Sequence, residues 1–252
     1  MRFSHKLAKL ADWRTIRSAK RHIGRVFLTR RFVFGLDAER IIATIDREKF
    51  QAIYERYAVD HPGSTWRKYL NLEKWFEINL RRVRELELDY GRRKDILDIG
   101  SGAGYFLYIC QWLGHRPVGL DFEGVPMYPE MARMLGLQRI IWRIQPFRPL
   151  PDLGRKFDLI TAFMICFNNP KRDDLWGIGE WDFFLEDLAR HLKPGGRLWF
   201  ELTPQNDGKF LSTELCRFFE SRGAQVERYK VMFNSLPRAS VRAEGAVASS
   251  SH

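Results

Sequence analysis

Cysteine is scarce: Cys110, Cys166 and Cys216 are the only three in 252 residues, set in apolar stretches with neither CxxC nor paired-histidine spacing. An odd, scattered set argues against a disulfide framework and a zinc site, and it suits a reducing compartment; no metal ligands are nominated. Long apolar runs are also missing. Nothing approaches the roughly 20 residues that a membrane-crossing helix needs, and the opening MRFSHKLAKLADW lacks the uninterrupted apolar stretch of a secretory signal. The expectation is a cytoplasmic protein, soluble or peripheral at the inner membrane surface. Acid is what the first segment lacks. Residues 1–31 hold ten Lys or Arg against Asp12 alone, so they carry nine of the eleven net positive charges. The basicity belongs to an arm and not to the body, which removes the simplest argument for a nucleic-acid-binding core.

Within that arm, assigned to residues 1–36, Ile16, Ala19, Ile23, Val26 and Phe27 share one side of a helix, and Arg14, Arg17, Arg21 and Arg25 share the other. Such a helix can dock its apolar side on the body, lie on an anionic membrane, or meet RNA. Helical periodicity then predicts Asp37–Tyr57 and Asn71–Leu88 as helices of a prelude spanning 37–94. From Asp95 the pattern changes to short apolar runs alternating with helical stretches, which implies a mostly parallel, doubly wound α/β sheet over 95–236. The end, 237–252, has no packing pattern and is expected to be disordered.

The first strand of that region runs into ILDIGSGAGYF, residues 96–106. A phosphate-binding P-loop needs GxxxxGK[ST], and nothing of that kind follows. A dinucleotide turn needs GxGxxG; Gly100 and Gly102 fit, but the third position is Tyr105, with Gly104 one place early. Asp98, two residues before the first glycine, would repel a pyrophosphate and suit an ammonium group. The next strand, VGLDF, ends on Asp121, 19 residues after Gly102, about where a carboxylate takes both ribose hydroxyls. Together the acids describe a nucleoside with a cationic amino-acid arm.

In order and spacing, ILDIGSGAGYF, VGLDFE, FDLITAFMI and LKPGGRLWFEL resemble the successive motifs of class I S-adenosylmethionine-dependent methyltransferases over about residues 95–234. The overall sequence is similar to bacterial members of unassigned specificity. The resemblance implies a Rossmann-like fold with S-adenosylmethionine as cofactor. It implies that Asp98 and the turn Gly100, Ser101, Gly102 and Gly104 approach the methionine part, that Asp121 holds the ribose and that Phe122 flanks the adenine. Phe163 and Met164 would line the methyl-donor pocket. One departure is visible: where many relatives carry an acid after the third strand, this chain has Gln145 or Pro146, and the Gln145 carbonyl can accept the adenine amino group.

Methyl transfer from a sulfonium is an in-line displacement, so alignment and exclusion of water supply most of the catalysis. A base helps only when the acceptor is a hydroxyl. His61 is the candidate base, and Tyr69, Asn168 and Trp176 are the candidate acceptor contacts. FNNPK lacks the second proline and aromatic of the [DN]PP[YFW] motif, which disfavours methylation of base amino groups. The expected function is O-methylation of a small-molecule, lipid-linked or glycan acceptor. The alternatives are an RNA methyltransferase tethered by residues 1–31 and a non-catalytic scaffold.

Overall fold

The computed structural model describes residues 36–58, 66–165, 175–204 and 209–236. The basic arm, the 237–252 tail, His61 and Asn168 fall outside the described residues. The chain divides between Arg143 and Ile144 into two compact units, a boundary inside the stretch that the sequence presents as one domain.

The first unit begins with helices α1 (Ala38–Ile42) and α2 (Arg47–Tyr57), a 3₁₀ helix (Trp66–Leu70) and α3 (Leu72–Glu85). The single helix expected over Asp37–Tyr57 is therefore two. The cause is local: Thr44 Oγ1 donates to the Ile41 carbonyl at 2.5 Å as α1 ends, and Asp46, in extended conformation, accepts the Lys49 N–H at 3.1 Å and starts α2. Asn71 does the same for α3, accepting from Lys74 N–H at 3.0 Å. The buried stripe Phe76, Leu80 and Val83 follows helical spacing, and α3 packs against α1 and α4 (Tyr105–Trp112). Burying each of these side chains contributes about 1.5–3 kcal/mol before chain entropy is counted.

Strands β1 (Asp95–Ile99), β2 (Arg116–Asp121) and β3 (Arg139–Ile141) lie parallel in the order β3-β2-β1, with α4 and α5 (Met127–Met134) as their connections. All five residues of β1 are buried, the mark of a strand covered on both faces. His115 is a satisfied core histidine. Its Nδ1 accepts the Lys94 N–H at 3.1 Å, so Nε2 carries the proton and donates to the Leu88 carbonyl at 2.7 Å.

The second unit contains β4 (Phe157–Ile165), α6 (Ile178–His191), β5 (Leu192–Leu202), α7 (Thr213–Ser221), β6 (Gln225–Glu227) and β7 (Lys230–Phe233), in strand order β4-β5-β7-β6. β4 and β5 are parallel, while β7 and β6 close this part as an antiparallel hairpin. Its core is aromatic: Trp181 meets Phe219, Phe200 and Phe184 at centroid distances of 5.1, 5.9 and 6.3 Å. Parallel strands joined through helices, an antiparallel finish and a helical N-terminal extension make this a Rossmann-like α/β fold. Among the described residues no helix is long and apolar enough to cross a membrane.

Candidate cofactor site

Three glycines at alternate positions follow β1, and each takes a left-handed backbone: φ is 72° at Gly100, 54° at Gly102 and 82° at Gly104. A side chain at any of them would be strained. At Gly104, the N-cap of α4, a Cβ would also come within 2.5 Å of Leu137 Cδ1. The turn is tied to β2 at two points, by Gly100 N–H to the Leu120 carbonyl and by Gly102 N–H to Asp121 Oδ2, both at 2.7 Å. Ser101 leans on β2 where a Cβ at Gly119 would lie 2.6 Å from its Oγ. Gly119, inside a strand, thus has a packing reason, the close approach of Ser101.

Asp121 is 6% exposed and receives a second backbone bond, from Phe122 N–H at 2.8 Å. Burial pushes its carboxyl above the ordinary carboxylate value, against the opposing pull of the Gly102 and Phe122 N–H groups and the Arg139 charge. A carboxylate offers about four acceptor positions, and these two bonds take only two of them. Asp98, at the penultimate position of β1, is also buried. Burial first, and the Asp98 charge second, push the Cys110 thiol well up, which makes that cysteine an inert core group and no nucleophile. Phe122 stays 46% exposed; its ring occupies the space a Cβ at Gly124 would need, with the Arg143 guanidinium 5.9 Å from its centroid. Two buried acids beside a turn with three glycines fit a nucleoside that carries a cationic amino-acid arm.

Tyr69 lies in the same neighbourhood. Its ring stands edge-on to Tyr128 at 5.8 Å and stacks on Trp75 at 4.9 Å, while Tyr128 lies 3.8 Å from where a Cβ on Gly102 would sit. The Tyr105 hydroxyl, in the first turn of α4, donates to the Tyr69 carbonyl. Two residues beyond Tyr128, Glu130 accepts from Arg56 Nη1 at 2.6 Å and from the Tyr57 hydroxyl at 2.7 Å, which joins α5 to α2. Sequence reasoning gave Tyr105 no role beyond a mismatch in the glycine pattern, and it missed Tyr128 and Glu130, because a tyrosine and a glutamate in an amphipathic helix carry no motif. The prelude also holds a groove of about 780 Å³, lined by Ile42, Phe50, Tyr54, Leu70 and Leu72 and equally by polar or charged residues, Arg67, Lys68 and Glu73 among them.

In the second unit Gln145 is exposed and its Oε1 accepts from Arg148 Nη1 at 2.7 Å. Phe163 and Met164 lie at the end of β4, where the pairing with β5 shifts register between Phe163 and Ile165. Met164 is 47% exposed and has a φ of 55°, a conformation that costs a non-glycine residue about 1–2 kcal/mol. Strain of this kind concentrates at functional sites. Trp176 is 7% exposed and edge-on to Phe184 and Trp181 at 5.2 and 5.4 Å, a placement that core packing accounts for. Among the described residues no cluster of three or more His, Cys, Asp or Glu has the arrangement of a metal site.

The model of a methyltransferase domain matches residues 72–234, well over half of the chain. A ubiquinone biosynthesis O-methyltransferase from Chelativorans sp. (strain BNC1) is 28% identical over 145 residues, covering 52% of this chain and 53% of that protein. A demethylmenaquinone methyltransferase from Tropheryma whipplei (strain Twist) is 31% identical over 106 residues, 42% of this chain and 40% of that one. The chain therefore spans about half the length or less of these curated relatives. Among solved structures, Streptomyces venezuelae DesVI has a TM-score of 0.45 and 21% identity, covering 60% of this chain and 61% of that one. With the matched residues running from α3 to β7 and taking in the glycine turn and Asp121, the chain belongs to the methyltransferase-domain family, in the class I S-adenosylmethionine-dependent group that its motifs resemble.

Proposed function

We propose that this chain is an S-adenosylmethionine-dependent methyltransferase acting at oxygen on a small-molecule, lipid-linked or glycan acceptor. The observation that carries the cofactor half is the 2.7 Å bond from Gly102 N–H to Asp121, which joins the turn and the ribose-binding acid into one preorganised element. In this reading Asp98 and the Gly100–Gly104 turn hold the methionine part, Asp121 the ribose hydroxyls, and Phe122 and Gln145 the adenine. Phe163 and Met164 line the methyl-donor pocket. The cofactor supplies an activated methyl group on a sulfonium. What remains for the chain is to align the acceptor oxygen, exclude water and take up one proton, the last assigned to His61.

Attack at oxygen draws support from the relative named as an O-methyltransferase. An acceptor with an apolar body draws support from the groove in the prelude, and Tyr69, beside the glycine turn, is the acceptor contact carried forward with Asn168. A cytoplasmic site suits the three scattered cysteines, and the basic arm is available to an anionic membrane face. The nine excess positive charges of residues 1–31 favour one second reading, RNA as acceptor with the arm as tether. In that case affinity falls steeply with salt, and deleting residues 1–31 flattens the dependence.

Calorimetric titration of the purified protein with S-adenosylmethionine and S-adenosylhomocysteine, with NAD and ATP as controls, tests the cofactor half. Selective binding of the first two is expected, followed by methyl transfer to hydroxylated aromatic acceptors bearing an apolar tail. A folded sample that binds neither would overturn the assignment and leave a methyltransferase-like scaffold.

A further inference from the structure

Tyr128, in the first turn of α5, stands by the glycine turn and the 3₁₀ helix, and Glu130, two residues on, reaches α2. The Tyr128 ring faces the position a Gly102 Cβ would take, at 3.8 Å. Tyr69 also meets it, edge-on at 5.8 Å in the orientation that sets the positive rim of one ring against the face of the other. Tyr69 is itself fixed, stacked on Trp75 and accepting through its carbonyl from Tyr105. Burial pushes the Tyr105 hydroxyl far above its ordinary value, so it remains a donor at any working pH. Glu130 completes the frame by binding Tyr57 and Arg56 of α2, and Tyr57 in turn meets Trp66 of the 3₁₀ helix at 6.1 Å. The Tyr57 hydroxyl first, and then Arg56, hold the Glu130 carboxyl below its ordinary value, so the link is ionic at neutral pH.

Three elements thus brace one another, and one corner of the brace rests on the bare backbone of Gly102. A ligand laid on that turn enters the space next to the Tyr128 ring. We infer that Tyr128 is a positioning residue: it forms a wall of the cofactor site and transmits occupancy of the glycine turn to the acceptor-side prelude, with Glu130 as the strut that makes the transmission rigid. The inference rests on the S-adenosylmethionine reading above. Cofactor binding fixes the ring, the ring fixes Tyr69 and α5, and these fix the 3₁₀ helix and α2, which ligand at the turn need not touch. By linkage, loosening the prelude must weaken cofactor binding by the same factor.

Hydrogen exchange of the full chain, with and without S-adenosylmethionine, combined with calorimetric affinity, tests this. In the wild type, cofactor should slow exchange across 47–57 and 66–70. Tyr128→Phe keeps the ring and should keep the protection that cofactor adds. Tyr128→Leu, which retains apolar volume for folding, should lose the added protection and bind cofactor about 5- to 20-fold more weakly, within the usual range of such couplings. Glu130→Gln should lose the protection over 47–57 while that over 66–70 persists. If Tyr128→Leu binds as tightly as the wild type, or the cofactor still protects 47–57 in it, the inference is overturned; a merely structural role would lower thermal stability and leave these differences intact. A wild type that binds no S-adenosylmethionine would instead sink the cofactor reading.

Discussion

Two buried carboxylates, one in each unit, make the same kind of bond and do different work. Asp121 accepts the N–H of Gly102, 19 residues away, at 2.7 Å; Asp187 accepts the N–H of Leu150, 37 residues away, also at 2.7 Å. Both are nearly inaccessible, at 6% and 3% exposure. Their settings differ. Asp121 ends a parallel strand beside a turn with three left-handed glycines, at the carboxyl end of the strand, the side on which open α/β sheets take ligands. Asp187 lies within α6, among Leu185, Leu188 and Ala189, with Arg190 at 3.5 Å and His191 at 3.9 Å. A buried acid on a distant N–H is therefore no mark of function by itself. The place at a strand's carboxyl end and the three left-handed glycines beside Asp121 are what distinguish it.

Asp121→Ala is the largest expected break in that comparison. It removes charge-assisted hydrogen bonds worth about 1.5–3 kcal/mol and should weaken S-adenosylmethionine binding on the order of 10- to 150-fold, read by calorimetry. Affinity equal to wild type would mean that the ribose is not placed there. Asp187→Ala should act on the other quantity. It leaves the Leu150 N–H buried without its acceptor, at about 1–3 kcal/mol of stability, and should lower the melting temperature by roughly 2–4 °C per kcal/mol. Cofactor affinity per folded molecule should not move, and a matching loss of affinity would erase the distinction.

The same contrast explains what the sequence discloses. Gly100, Gly102 and Gly104 were legible because left-handed backbone demands glycine, and Asp121 because an acid closing an apolar parallel strand stands out by its type. Those constraints act on residue type, so they surface as spelling. Asp187 was invisible, since a helical aspartate that bonds a loop N–H looks like any surface acid. Tyr128 and Glu130 were hidden for the same reason: their roles depend on which elements meet, which no local pattern encodes. Element types followed from periodicity, yet the break at 43–46 did not, because it hangs on the Thr44 and Asp46 side chains turning to backbone. Trp176, nominated for the acceptor, illustrates the converse: a tryptophan beside a loop and one in a core read alike.

Gly104→Ala sharpens the first side of the comparison at a smaller scale. A Cβ at φ 82° costs about 1–2 kcal/mol, and Leu137 Cδ1 at 2.5 Å must swing away. Thermal unfolding should register that cost, and calorimetry a parallel loss of affinity, since the strain falls on the turn itself. A stability loss without any affinity loss would separate Gly104 from the site and leave it a helix cap.

The smallest effect concerns the second side, through His191. Burial lowers its affinity for a proton below the ordinary value of 6.5, and the nearby Asp187 charge only partly opposes this. A histidine depressed in the folded state is protonated first in the unfolded chain. Its contribution to stability is therefore complete above pH 6.5 and is lost as the pH falls from there toward the folded value, with a slope of at most about 1.4 kcal/mol per pH unit for one proton. Replacing His191 by Gln should flatten that part of the stability profile measured by denaturant unfolding. Asp187→Asn, which removes the opposing charge, should steepen or extend it. Because Asp121 lies outside this pairing, cofactor affinity over the same pH range should be the same in both variants as in the wild type; a shared change would mean that the two carboxylates are energetically coupled rather than independent.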